Sequence, residues 1–257
     1  MMGMDFGLSG WAILTIGAAV AGWIDAVIGG GGLVLIPLIM AVAPQLAPAA
    51  ALATNKVAAV SGTASAAVTL VRKVRPPKGE LIRMGLAALV CSSLGATAVA
   101  LIDKDIMRPA IIVLMVAVGT FVAFRPSFGS GEGVRGGWRT WAGLAAVAAI
   151  AFYDGVFGPG TGMFLIMAFT AIFSQNFLTS AAMAKVVNTC TNVGALIAFI
   201  LGGHVVWGLA LVLAAANILG AQLGARTVLG GGTKLIRYAL LVLVVVMSVY
   251  LAWQQWG

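Results

Sequence analysis

Charge is what this chain has least of. Only 9% of its 257 residues are Asp, Glu, Lys or Arg, against about 25% in soluble globular domains, and the mean hydropathy is +1.09. A water-soluble fold needs more polar surface than this composition supplies, so the expected class is an all-α, polytopic membrane protein. One histidine, His204, and two cysteines, Cys91 and Cys190, leave no Ser-His-Asp constellation and no cluster with metal-ligand spacing. That excludes the machinery of hydrolases and metalloenzymes, and the chain is read as a non-enzyme with no cofactor and no metal. Both cysteines fall in apolar runs and neither is the repeat mate of the other, which argues against a disulfide framework. Residues 1–10 hold Asp5 but no basic residue, so the first apolar run lacks the positive flank of a cleaved signal and is expected to be kept as a helix.

What is present is organised by length. Apolar runs cover about 8–28, 33–43, 48–71, 81–102 and 107–124, and again about 138–157, 162–173, 177–200, 205–225 and 236–253. Eight reach the roughly 17–25 residues that a membrane helix needs. The two short ones, 33–43 and 162–173, each follow a glycine cluster. A break of this kind is tolerated in a bilayer only where the freed backbone faces protein or water. The net charge of +8 is no nucleic-acid signal, because the basic residues collect in short segments between the runs, as cytoplasmic loops of membrane proteins do.

The runs repeat. A constant offset of 129 carries Asp25 onto Asp154, Gly29 onto Gly158, Gly31 onto Gly160, Lys56 onto Lys185, Gly79 onto Gly208, Arg108 onto Arg237, and Leu94-Gly95-Ala96 onto Leu223-Gly224-Ala225. Matches between small apolar residues are cheap in this composition, whereas matches of an aspartate, a lysine and an arginine in one register are not. The chain therefore divides into two membrane repeats, 1–128 and 129–257, each of four long helices plus one short broken helix.

Their relative orientation follows from the basic residues. If the short runs count as crossings, each half crosses five times and the second is inverted. Arg72, Lys73, Arg75, Lys78, Arg83, Arg125, Arg135, Arg139, Arg226, Lys234 and Arg237 then share the cytoplasmic side, and only Lys104 and Arg108 lie outside. If the short runs re-enter instead, the halves are parallel and the bias weakens to eight against five. The positive-inside rule favours inversion, with both termini outside. Inverted repeats with broken helices near the midplane are the construction of secondary transporters.

The candidate chemistry lies at the breaks and just beyond them. Lys56 and Lys185 sit deep in apolar runs, where an ammonium costs about 2.5–3.5 kcal/mol on insertion scales, so each is a functional candidate by default. The plainer reading is snorkelling or a structural pairing with Asp25 or Asp154. Asn55 precedes the first lysine, while Asn188, Thr189 and Asn192 follow the second. Lys185, Asn188 and Asn192 share one helical face, and N–H and O–H donors around a positive charge suit a small oxyanion. Gly29, Gly30 and Gly31, with Gly158, Gly160 and Thr161, can turn sharply and expose backbone N–H groups at the N-termini of the short helices, where the dipole favours an anion. Close helix packing is the alternative for these glycines. Asp25 and Asp154 are candidates for a coupling-proton carrier, a lysine counter-ion or a helix cap. Gly220-Ala-Gln-Leu-Gly224 reads as a packing motif, with Asn217 and Gln222 as candidates to reach the pathway. His204 falls in an expected external loop.

The D-x-x-x-G-x-G unit opening each half, the A-x-x-K helix after it (Ala53 to Lys56 and Ala182 to Lys185) and the late L-G-A string together resemble the TauE/SafE family of sulfite and organosulfonate transporters. The resemblance covers roughly residues 8–253. It departs from internal symmetry where Pro159 enters the second glycine cluster and Ala184 stands opposite Asn55. It implies a multi-pass permease of the bacterial inner membrane that moves small sulfur-containing anions, often outward, by alternating access. The residues themselves leave two other readings open: a proton-coupled carrier of a neutral or cationic metabolite using Asp25 and Asp154, and a non-transporting membrane assembly factor.

Overall fold

A computed structural model describes residues 7–99, 106, 107, 109–113, 117, 138–230 and 253, and every regular element among them is helical. In chain order these are α1 (Gly7–Ile28), α2 (Gly31–Val42), α3 (Pro48–Val74), α4 (Lys78–Ala98), α5 (Trp138–Val156), α6 (Thr161–Phe173), α7 (Phe177–Leu201) and α8 (Trp207–Leu229). Most of the expected runs at 107–124 and 236–253 lies outside the described residues, as do the basic residues Lys104, Arg108, Arg125, Arg135, Lys234 and Arg237.

Among the described residues five helices, α1, α3, α4, α7 and α8, are long and apolar enough to cross a membrane. At 12 and 13 residues, α2 and α6 are too short to do so alone, in keeping with the two short runs. With its 19 residues α5 is long enough, but Arg139 and Asp154 make it less apolar. Helices α3 and α7 start 129 residues apart, as do α4 and α8, the same offset that aligns the charged residues.

Local chemistry sets the helix ends. Proline opens α3, where its missing N–H is no loss. Arg75 closes that helix in the left-handed region at φ 53°, and Pro76 and Pro77 prevent continuation. The amide oxygen of Asn176 caps α7 by accepting from the Thr179 N–H at 2.8 Å.

Packing contacts fix how the helices run. Between α1 and α8, Ala18 meets Asn217, Ala19 meets Gly220, and Trp23 meets Gly224 and Thr227, so the contacts advance together and the helices run in the same sense. The same holds for α3 with α8, where Gly62 meets Asn217 and Ser65 meets Gln222. It holds again for α4 with α5 through Met84 against Gly143 and Gly95 against Phe152. Gly85 against Cys190 and Leu89 against Gly194 give α4 and α7 a common sense too. Only three residues join α3 to α4, spanning about 10 Å at most, and that cannot return the chain to the far end of a 27-residue helix about 40 Å long. The two groups, α1, α3 and α8 against α4, α5 and α7, therefore run in opposite senses.

One consequence is electrostatic. The C-termini of α3 and α8 and the N-termini of α4 and α5 share one end of the bundle, and there lie Arg72, Lys73, Arg75, Lys78, Arg83, Arg139 and Arg226. Among the described residues, the only basic side chains elsewhere are Lys56 and Lys185, both buried, and His204 at the opposite end.

Candidate functional site

Two main-chain breaks build the site. After α1 closes with the Gly29 N–H on the Asp25 carbonyl at 2.8 Å, Gly29 adopts φ +83°, and Gly158 takes the equivalent place at φ +89°. Residues with a Cβ seldom adopt that conformation. The breaks touch: a Cβ on Gly29 would stand 2.3 Å from the carbonyl carbon of Gly162. The second break is further held by the Tyr153 hydroxyl, which donates to the Pro159 carbonyl at 2.7 Å.

The lysines and aspartates pair across the halves. Lys56 donates to Asp154 Oδ2 at 2.7 Å and to Asn192 Oδ1 at 3.1 Å. Lys185 donates to Asp25 Oδ2 at 3.0 Å and also to the Asp25 main-chain carbonyl. Each carboxylate uses its second oxygen to anchor the start of a short helix. Asp25 Oδ1 accepts from the Gly31 N–H at 3.2 Å, and Asp154 Oδ1 accepts from the Thr161 hydroxyl at 2.7 Å. One acidic side chain thus ties together the end of a long helix, the start of a short one and a lysine from the other half. Buried pairs of this kind add little net stability but are costly to break singly, because the surviving charge is left without a partner.

Around these pairs lies a cavity of about 20 Å³, room for about one water. Of the residues put forward from the sequence, Asp25, Gly29, Asn55, Lys56, Asp154, Gly158, Gly160, Thr161, Asn188 and Asn192 line it. Lys185, Thr189, Gly30 and Gly31 do not: Lys185 is fully enclosed against Asp25, and the Thr189 hydroxyl turns back to the Lys185 carbonyl. Three more residues line it: Gly32, the last of the first glycine cluster, and Ala59 and Gly162, which sequence reasoning missed. Adding 129 to Gly32 and Ala59 gives Thr161 and Asn188, so the repeat register held the signal for two of the three.

The lining is rich in donors. The N-termini of α2 and α6 both open onto the cavity, and among the described residues the N–H groups of Gly32, Gly160 and Gly162 have no protein acceptor. The Asn55 side chain, on a residue 5% exposed, makes no hydrogen bond among the described residues, and the Asn188 amide nitrogen is equally free. Helix N-termini with unpaired N–H groups attract oxyanions through both hydrogen bonding and the helix dipole. The lysines are placed as the plainer of the two readings had them, each paired with a carboxylate, so that the four charges sum to zero.

Asn217 and Gln222 do not reach this cavity. Asn217 donates to the Ala18 carbonyl at 3.0 Å, and Gln222 bonds Ser65 and Thr69. Both join helices, and Gly220 and Gly224 let α8 approach the α1 backbone, which is the packing role. Among the described residues no three of His, Cys, Asp and Glu converge as a metal site would require.

Comparison with known proteins gives a consistent picture. Residues 14–251 match the family model described as Sulfite exporter TauE/SafE. The chain is 36% identical to the probable membrane transporter protein YfcA of Escherichia coli K12 over 246 residues, which covers 95% of this chain and 90% of that protein. It is 34% identical to a probable membrane transporter protein of Haemophilus influenzae, covering 98% of both chains. Probable membrane transporter protein ORF9 of a Sinorhizobium species is 30% identical across 93% of the chain and 91% of its own length. No solved structure matches.

Proposed function

The chain belongs to the TauE/SafE family of membrane transporters, a multi-pass membrane protein and not an enzyme, and from that premise we propose that it carries a small sulfur-containing oxyanion, such as sulfite or an organosulfonate, across the bacterial inner membrane. One observation carries the anion part of this reading: two short helices aim their N-termini into one buried cavity lined by unpaired N–H groups and the free amides of Asn55 and Asn188. Three oxygens on a pyramidal or tetrahedral sulfur would match such a donor set. Lys56 and Lys185 act as the framework that holds the cavity's carboxylates in place. The pairing of both carboxylates with lysines weighs against a carrier that binds a cation directly to Asp25 or Asp154.

The proposed mechanism is alternating access. We read residues 1–128 and 129–257 as inverted repeats, because α1, α3 and α4 run opposite to their mates α5, α7 and α8. In alternating access the halves rock about the contact between the glycine breaks, opening the cavity to one face and then the other. Its present volume, about 20 Å³, holds no more than a water, so admitting sulfite requires the lining on the opening side to swing outward about that contact. The family is described as an exporter, and a carrier of this kind runs in either direction according to the gradients across the membrane.

The direct test is flux in liposomes containing the purified protein. Saturable entry of radiolabelled sulfite, competed by organosulfonates and weakly by taurine, whose ammonium lacks a free carboxylate here, is the expected result. Entry of sulfite and of simple sulfonates no faster than in protein-free liposomes would overturn the reading.

A further inference from the structure

The two carboxylates at the breaks are repeat mates, yet they are held differently. Asp154 has 2% of its side chain exposed, and both its oxygens are engaged at 2.7 Å, by Lys56 and by the Thr161 hydroxyl. Asp25 keeps 15% of its side chain exposed and lines the cavity with looser contacts, 3.0 Å to Lys185 and 3.2 Å to the Gly31 N–H. The first half has a glycine, Gly32, where the second has Thr161, so Asp25 lacks the hydroxyl that fastens its mate.

Resting on the reading of the cavity as an anion site, we infer that Asp25 is the coupling group: it takes a proton as the anion enters and releases it as the anion leaves, so that one proton travels with each monoanion. Two carboxylates and the Lys56 ammonium line the cavity, Lys185 balances Asp25 from behind it, and one helix N-terminus is occupied by Asp25 itself. An arriving anion competes for that N-terminus and meets the carboxylate's like charge in a region of low dielectric, where repulsion is strong. A proton on the carboxyl removes the repulsion and returns the loaded cavity to neutrality. The transfer is a simple one, from water on the open side to a carboxylate oxygen and back to water on the other side.

Lys185 makes this feasible at Asp25. Its ammonium also donates to the Asp25 main-chain carbonyl, so it keeps an acceptor when the carboxylate is neutralised. The charged groups facing Asp25 are Lys185 from α7 and, across the cavity, Lys56 from α3 and Asp154 from α5. The short helices α2 and α6 carry none, and the single charge of α8, Arg226, is exposed at the bundle end.

The test uses the full chain in liposomes with an entrapped pH dye and methanesulfonate as probe, whose own charge does not change over the working pH range. The expected wild-type result is exchange of labelled for unlabelled probe, uphill accumulation driven by an acidic exterior, and one proton entering per anion. Asp25→Asn is expected to exchange at a reduced rate while neither accumulating probe nor moving protons. Net uptake of the probe by the wild type unaccompanied by protons would overturn the inference while leaving the carrier reading intact, as would accumulation by Asp25→Asn. If Asp25→Asn moves no anion at all, Asp25→Glu decides: a displaced pH profile of uptake supports the assignment, and an unmoved one overturns it. Failure of the wild type to exchange methanesulfonate or sulfite would remove the carrier reading and this inference together.

Discussion

The ammonium of Lys56 lies 2.7 Å from the carboxylate of Asp154, so a lysine from the first half is neutralised by an aspartate from the second. The converse pair, Lys185 with Asp25, closes at 3.0 Å. The halves exchange counter-ions, and neither break can be held without the opposite half.

This crossing makes the pairs conditional on each other. Lys56→Met leaves Asp154 charged and enclosed, and is expected to cost about 3–5 kcal/mol. Combining Lys56→Met with Asp154→Asn should recover most of that loss, since no buried charge is then left alone. Thermal unfolding in detergent measures both. Equal melting temperatures for the single and double variants would show that the pair does not bear on stability.

A second expectation concerns the contact between breaks. Gly29→Ala places a methyl 2.3 Å from main chain in α6 at φ +83°. The left-handed conformation alone costs about 1–2 kcal/mol, and the clash adds to it, so both folding yield and transport should fall steeply. Gly32→Ala is the control in the same cluster, because its nearest neighbour would be a side-chain methyl of Ile36 at 3.5 Å, an ordinary contact. Its melting temperature should stay within about a degree of wild type. Comparable damage from the two substitutions would refute a specific meeting of Gly29 with Gly162.

Asn55 separates binding from stability. Its amide has no protein partner, so Asn55→Ala should leave the melting temperature unchanged. A hydrogen bond to a charged group contributes about 1.5–3 kcal/mol, which predicts a loss of sulfite affinity of roughly 10- to 100-fold. Asn192→Ala should instead lower stability, because it removes the second acceptor of Lys56. Competition binding alongside melting curves distinguishes them, and unaltered affinity in Asn55→Ala would take that residue out of the site.

Much of this was legible in one dimension, and the reason is scarcity. With so few charged residues, the coincidence of Asp25 with Asp154 and Lys56 with Lys185 at one offset stood out, and the helix starts at Pro48 and Phe177 keep that offset. Short runs after glycine clusters likewise predicted α2 and α6. What the repeat could not convey was partnership. A linear register aligns lysine with lysine and cannot tell whether each pairs within its half or across, and that choice decides whether the ammonium groups face substrate or framework. Asn217 and Gln222 failed for a related reason: a polar residue in an apolar helix signals a buried partner, and here those partners are Ala18, Ser65 and Thr69 on neighbouring helices.

The last expectation concerns sidedness, on which the proposed cycle depends. The seven basic residues at one end of the bundle include Arg72, Lys73 and Lys78 around the turn between α3 and α4, whereas the turn between α7 and α8 holds only His204. The positive-inside rule assigns the basic end to the cytoplasm. Gly79 and Gly208, repeat mates at the starts of α4 and α8, both have open space where a Cβ would go, so Gly79→Cys and Gly208→Cys should be accommodated without strain. With Cys91 and Cys190 replaced by alanine, an impermeant maleimide added to intact cells should label the cysteine at 208 and spare the one at 79 until the cells are opened. Labelling of both sites from outside would mean that the matching ends of α4 and α8 share a face, and parallel rather than inverted halves would follow. A midplane site reached in turn from either side by rocking two opposed halves would then have no structural basis.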